Sequence, residues 1–387
     1  MPLPLATSSA PFAAVALAAI ACTAALSAQA ATAPTPEDRL LVANKADHSL
    51  SIFIPGERRE AATVPTGRGP HEVAVDPTGT LAVVSDYGDR MPGSSLTVVD
   101  VFAGKAVRTI QLARSDAEVG ESSTGPTTAT TDKPAAKAYL RPHGIRFVAA
   151  DRVVVTSEAT RRLLLVNVIT GAIERTWTTP QTTMHMVALT SDGKRAAATS
   201  IREGSVVFFA LAGDGRDNTA VTAPIACGDG SEGLAIHPTS GETWVGNRAA
   251  NTVSVVDAAG KITKTLASGD FPFRIAFTPD GKHALVTCAD GGQLQVFDAA
   301  THELRREISI HGDRSEQSAM PMGIVTDPDG QRAFVTCNRG EFVAVIDLTK
   351  GELVDRWPAR AGCDGIAWAR RRAATSESTR PLEGPGR

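Results

Sequence analysis

Pro272-Phe273-Arg274-Ile275-Ala276, then Thr278-Pro279-Asp280-Gly281-Lys282, then Ala284-Leu285-Val286-Thr287-Cys288, is the stretch that decides the fold. Two short apolar runs flank a Pro-Asp-Gly turn, which reads as a β-hairpin. Gln293-Leu294-Gln295-Val296-Phe297 and the run from Glu303 to Ile310 add two more such segments, so the unit has four strands. Its opening segment recurs as Pro70-His71-Glu72-Val73-Ala74, Pro142-His143-Gly144-Ile145, Met184-His185-Met186-Val187-Ala188, Ser231-Glu232-Gly233-Leu234-Ala235, Pro321-Met322-Gly323-Ile324 and Cys363-Asp364-Gly365-Ile366-Ala367. With the third residue of each as the mark, positions 72, 144, 186, 233, 274, 323 and 365 are separated by 72, 42, 47, 41, 49 and 42 residues. Seven units of propeller-blade length result, and an insertion enlarges the first interval. Gly79, Gly193, Gly281 and Gly330 each stand seven residues past a mark, where the hairpin turns.

A lone four-stranded antiparallel sheet leaves both faces apolar, and seven stacked radially cover each face with a neighbour. The expected fold is therefore all-β, a seven-bladed β-propeller of four-stranded antiparallel blades. The chain ends indicate how the ring closes. Leu40 to Asn44, Ser49 to Ile54 and Glu60 to Pro65 supply three strands of a unit that lacks its first, and Cys363 to Ala369 is a first strand with nothing after it. Joined, they make one blade, so the propeller is expected over residues 40–369. Residues 113–138 lack apolar periodicity and read as a flexible insertion, placed to act as a lid, a partner-binding segment or a passive loop. The Arg-rich end, 370–387, reads as a disordered tail.

Ser268-Gly269-Asp270-Phe271-Pro272 with the Thr278–Lys282 turn resembles the repeat of the YVTN-repeat, YncE-like family of exported bacterial propellers. So do Phe334-Val335-Thr336-Cys337-Asn338 followed by Val345-Ile346-Asp347, and Asn251-Thr252-Val253-Ser254-Val255-Val256-Asp257. The resemblance runs over roughly residues 40 to 369. It implies the propeller fold, on a scaffold whose activities are mostly undescribed. Where the family motif has Asn, this chain has Cys288 and Cys337.

No charged side chain precedes Glu37. An Ala-rich apolar run from Phe12 to Leu26 leads to Ala28-Gln29-Ala30, a small-x-small cleavage signature. Residues 1–30 thus read as a signal peptide and 31–39 as a linker, which sends the protein to the periplasm or outside the cell. A membrane anchor and lipidation at Cys22 are the alternatives, since no Lys or Arg precedes Phe12. No later stretch is apolar enough to span a bilayer, and a monomer is expected. Cys227, Cys288, Cys337 and Cys363 then face an oxidising compartment, where an even count permits disulfides. Their positions on diverging blades favour free buried thiols.

Lys and Arg total 39 against 42 Asp and Glu, and only 5% of residues are aromatic. General nucleic-acid binding is not expected from that balance. C-x-x-C-H, G-x-S-x-G and a phosphate-cradling Gly loop are all lacking. Thr170-Gly171 and Trp177 match a quinoprotein docking motif only once, so Trp177 reads as packing between blades. Asp100, Asp257, Asp298 and Asp347 read as Asx-turn formers.

Function is expected on one face. The turn after each first strand is short, whereas links into the first strand and out of the second are longer and charged; Ala113 to Ala138, Ala212 to Gly230 and His311 to Ala319 are examples. Arg161, Arg162, Arg202, Arg248 and Arg339 lie on such links and read as a solvated face or a contact for an anionic partner. At the channel mouth, the second repeat position in ring order is His71, His143, His185, Glu232, Phe273, Met322 and Asp364. A small molecule or a protein partner is expected there, against His71, Glu72, His143, His185, Glu232, Arg274, Met322 and Asp364. Three readings stay open. The histidines fill the mouth and bond water or backbone; or His71, His143 and His185 bind a transition-metal ion, with Glu232, Asp364 or Glu72 adding charge; or His143, His185, Glu232 and Arg274 form a hydrolytic site like that of seven-bladed propeller lactonases, Arg274 steadying an oxyanion.

Overall fold

The computed structural model describes residue 35 and residues 37–113, 138–212, 221–311 and 317–372. The expected signal peptide, the body of the insertion and the tail beyond Arg372 lie outside the described residues. Seven four-stranded antiparallel sheets make a seven-bladed β-propeller. The innermost strands are Pro70–Val75, Pro142–Ala149, Met184–Leu189, Ser231–Ile236, Pro272–Phe277, Pro321–Thr326 and Cys363–Arg370, and they define blades one to seven.

Blade seven closes the ring as expected, in the order Cys363–Arg370, Asp38–Asn44, Ser49–Ile54, Arg59–Pro65. Its register pairs Leu40 with Trp368 and Val42 with Ile366. The strands run past the expected bounds, to Asp38 and Arg370, because an ion pair locks their ends. Arg370 Nε and Nη2 donate to the two carboxylate oxygens of buried Asp38 at 2.6 and 2.9 Å, and Trp368 Nε1 adds a third bond at 3.2 Å. The tail expected from residue 370 begins with fixed backbone: the Arg371 and Arg372 N–H groups donate to Glu37 O and Thr78 O at 3.2 and 3.0 Å.

Among the described residues seven apolar clusters lie one in each gap between neighbouring blades, and a smaller eighth lies at the mouth. Trp177 sits in the gap between blades two and three, as expected, with Val154, Leu163, Met184 and Phe209. The turn glycines Gly79, Gly193, Gly281 and Gly330 take φ between 65 and 75°, the left-handed region a tight turn needs. Asp100, Asp257, Asp298 and Asp347 each accept backbone N–H bonds through Oδ1 within the next four residues, at 2.8–3.1 Å. The four cysteines among the described residues are free thiols, three of them buried, and burial pushes Cys227, Cys288 and Cys363 up to about 12.

One loop expected on the mouth face divides. Ile225–Ala226 is the fourth strand of blade three, paired with Val206 and Ser205, and an isolated bridge joins Val221 to Phe209, so residues 221–226 run back beside Ser205–Ala210. Ala212 and Val221 therefore both lie toward the opposite end of the blade, and the stretch from Cys227 to Gly230 leads into Ser231–Ile236 at the mouth.

Second-strand threonines tie neighbouring blades at the mouth. Thr156, Thr287 and Thr336 donate across the gap to the carbonyls of His185, Met322 and Asp364 at 2.6, 2.8 and 2.6 Å. Each accepting carbonyl belongs to a second-position residue, so these bonds fix where the mouth side chains start. Adjacent inner strands approach closely enough that a Cβ on Gly233 would lie 2.1 Å from Phe273 O, and one on Gly365 2.3 Å from His71 O. The marks at these positions are glycine for that reason.

Candidate functional site

All seven second-position residues meet at the mouth, and so does a second ring of side chains. The latter comes from the residue just past the partner of each repeat's first position: Lys45, Tyr87, Glu158, Ile201, Arg248, Ala289 and Asn338. Sequence reading passed over Lys45, Tyr87 and Glu158 and placed Arg248 on the solvated face. Counting one residue beyond the Asn-type position of every second strand would have found them.

The three imidazoles follow one another in ring order, with successive planes tilted by 46 and 36°. Ring centroids of His71 and His143 are 4.0 Å apart, and those of His143 and His185 3.6 Å. Their bonding differs sharply. His185 is bracketed by carboxylates, with Nδ1 3.0 Å from Glu158 Oε2 and Nε2 3.2 Å from Glu232 Oε1. Burial by itself lowers its pKa, but these two bonds outweigh burial and raise it above the ordinary histidine value. His71 Nε2 accepts from Lys45 Nζ at 3.0 Å, since an ammonium can only donate, and its proton therefore sits on Nδ1. Asp364 Oδ2 lies 3.0 Å from that Nδ1, within ion-pairing distance but out of line for a hydrogen bond. His143 is 0% exposed, and neither ring nitrogen has a hydrogen-bond partner. Burial, then the charges of neighbouring groups, hold His71 and His143 well below the usual histidine range, so both are neutral near pH 7.

Arg274 crosses the channel. Its Nη2 and Nε donate to Glu72 Oε1 at 2.6 and 3.2 Å, and its Nη1 to Glu232 Oε1 at 3.3 Å. Glu232 also takes a bond from Arg248. Although burial pushes Glu232 upward, His185 and the two guanidinium groups hold it at about 2. Asp364 goes the other way, raised to about 7, because burial outweighs its neighbouring cations. The mouth is thus a continuous charge network from Tyr87, whose hydroxyl donates to Glu158 at 3.0 Å, through His185 and Glu232 to Arg274 and Glu72.

The remaining arc is apolar. Phe273 and Met322 are buried with Ala289, and half-buried Phe271 and Met320 pack on them. The Arg274 guanidinium lies over the Phe273 ring at 4.2 Å, and that of Arg248 over Phe271 at 5.1 Å.

The donors that come together for a metal ion are His71, Glu72 and His143, one ligand atom of each lying within 4.8 Å of the others. This differs from the expected set in one member. Both nitrogens of His185 already face carboxylates, whereas Arg274 takes only Oε1 of Glu72, and His71 would offer Nε2 on release of the Lys45 ammonium. A tetrahedral ion with bonds of about 2 Å wants neighbouring donors about 3.3 Å apart, so modest side-chain rotation is enough. Neutral imidazoles and an orphaned, fully buried His143 suit that chemistry.

Fold and site together define a seven-bladed propeller with a histidine- and carboxylate-lined channel mouth. No family model matches the chain, and no curated protein does. Among solved structures the chain is similar to "the crystal structure of a functionally unknown protein from Desulfotomaculum acetoxidans DSM 771", with 12% identity and a TM-score of 0.65, over 86% of this chain and 99% of that one. At that identity the likeness carries the fold alone. No helix among the described residues is long and apolar enough to cross a membrane.

Proposed function

We propose that the protein is an exported binding propeller of the YVTN-repeat kind, and that its channel mouth holds a transition-metal ion on His71, Glu72 and His143. Export rests on the apolar run and small-x-small site of residues 1–30. The observation that carries the metal is His143. A buried imidazole with two unsatisfied nitrogens costs stability unless something occupies it, and His71 and Glu72 each bring a donor atom within 4.8 Å that a metal would share. Binding is favoured over hydrolysis because the residues a lactonase-like site needs are already engaged. Arg274 is neutralised by Glu72 and Glu232, and a carboxylate held at about 2 is a weak base.

Elemental analysis of untagged protein purified from the periplasm tests both parts. One equivalent of a transition metal is expected in the wild type and none in His143→Ala or His71→Ala. Metal-free wild type that takes up no Zn²⁺ or Cu²⁺ in calorimetry overturns the metal. Protein retained in the cytoplasm with residues 1–30 intact overturns export.

A further inference from the structure

Three mouth residues hold a backbone conformation that their side chains disfavour. The position just before the inner strand has positive φ in six blades, and in three of these it is glycine: Gly69, Gly230 and Gly362. In blades two, five and six it is Arg141, Phe271 and Met320, at φ 56, 61 and 60°. Left-handed φ is uncommon for a residue with a Cβ; nine described non-glycine residues hold it here, and these three are the ones that stand just before an inner strand.

These residues extend two opposed surfaces. On one side Arg141 and Lys45 both lie over the Tyr87 ring, the guanidinium carbon at 4.8 Å and the ammonium at 5.5 Å from its centroid. Neither makes an ion pair with a carboxylate among the described residues. Lys45 bonds His71, and Arg141 reaches only the Asp89 carbonyl, at 3.5 Å, and the Tyr87 hydroxyl. His143 packs edge-on against the same Tyr87 ring, 5.3 Å between centroids, fully buried and with neither nitrogen hydrogen-bonded. Blades five and six, across the ring from Arg141, present Phe271, Phe273, Met320 and Met322.

We propose that the channel mouth binds a small carboxylate with an apolar body, the carboxylate received by Lys45 and Arg141 beside His143 and the body lying on Phe271 and Met320. Two cations that form no ion pair with a carboxylate among the described residues can receive an anion, the planar guanidinium fork matches a carboxylate, and the aromatic and thioether arc takes an alkyl or aryl group. This deepens the binding reading and rests on it, but not on the metal. A metal with three protein donors keeps an open position that the same carboxylate can fill.

Isothermal calorimetry with phenylacetate, hexanoate and the neutral isostere phenylacetamide tests it, on protein as purified and after EDTA. Both carboxylates are expected to bind and the amide to bind at least about tenfold more weakly. Lys45→Met and Arg141→Gln should each weaken phenylacetate about tenfold, and Met320→Ser should weaken phenylacetate and hexanoate alike. Circular dichroism checks that each variant is folded. Equal affinity for acid and amide, no binding of either carboxylate at millimolar concentration, or folded Lys45 and Arg141 variants with unchanged affinity overturns the proposal. Carboxylate binding that persists in protein shown to take up no metal removes the metal reading alone.

Discussion

Asp86→Asn is expected to stabilise the protein above pH 6 and to lose that advantage near pH 4. Asp86 stands at the position that Asn44 and Asn247 hold in blades seven and four, opposite the first residue of the inner strand. Each Asn donates from Nδ2 to two hydroxyls on the third strand. Asn44 reaches Ser49 and Ser51 at 3.0 and 2.9 Å, and Asn247 reaches Thr252 and Ser254 at 3.0 and 2.9 Å. Asp86 meets the equivalent pair, Ser95 and Thr97, at 2.7 and 3.0 Å, and the Gly67 N–H at 3.1 Å. Burial outweighs these donors and raises its pKa from 3.8 to about 6. Between those values the folded state keeps a proton that the unfolded chain has released, so stability falls as pH rises through the window and the penalty is complete above about pH 6. A shift of about 2 units corresponds to about 3 kcal/mol. Asn carries no charge to desolvate and keeps an acceptor for the Gly67 N–H, so its gain should approach that size at pH 8 and drop below about 1 kcal/mol at pH 4. Urea unfolding of both proteins from pH 4 to pH 8, followed by far-UV circular dichroism, measures it. A free-energy difference that is the same at both ends, or a variant less stable than wild type at pH 8, refutes the reasoning.

Arg274→Met leaves Glu72 and Glu232 buried without their shared cation and should cost about 3–5 kcal/mol at pH 7. Since wild-type Glu232 is held at about 2, its contribution persists above pH 4.5 and is lost as pH falls toward 2, so the deficit measured by denaturation should narrow over that range. Asp38→Ala removes the three bonds from Arg370 and Trp368 at the ring closure and two from Thr35, and should lower unfolding stability by about 1–3 kcal/mol; an unchanged thermal midpoint would show that closure does not depend on them. Gly233→Ala drives a methyl against the Phe273 carbonyl and should reduce soluble yield and melting temperature sharply, whereas Gly193→Ala, where a Cβ meets nothing within 4 Å, should lose only the smaller cost of its left-handed φ.

The order of the fold was legible in the sequence because a propeller is a repeat. The opening segment recurs in all seven units, four of them share the hairpin glycine, and an inner strand at residue 363 had only the N-terminal strands to complete it. The same periodicity put His71, His143, His185, Glu232 and Asp364 into one ring without any contact being known. What the ring does with its charges was decided by tertiary structure. The three histidines occupy one repeat position yet differ entirely: His185 lies between two carboxylates, His71 takes the Lys45 ammonium, and His143 is left with neither. Those partners sit 26 to 47 residues away in sequence, on second-strand ends and neighbouring inner strands. Arg274 and Glu72, 202 residues apart, meet because they share one narrow channel with four glycine marks around them. Periodicity specifies where each Cα lies in the ring, since backbone hydrogen bonding repeats with the sequence. Hydrogen-bond pairing and burial depend on which side chains converge from different blades, so the pKa of each group belongs to the closed ring and to no single repeat.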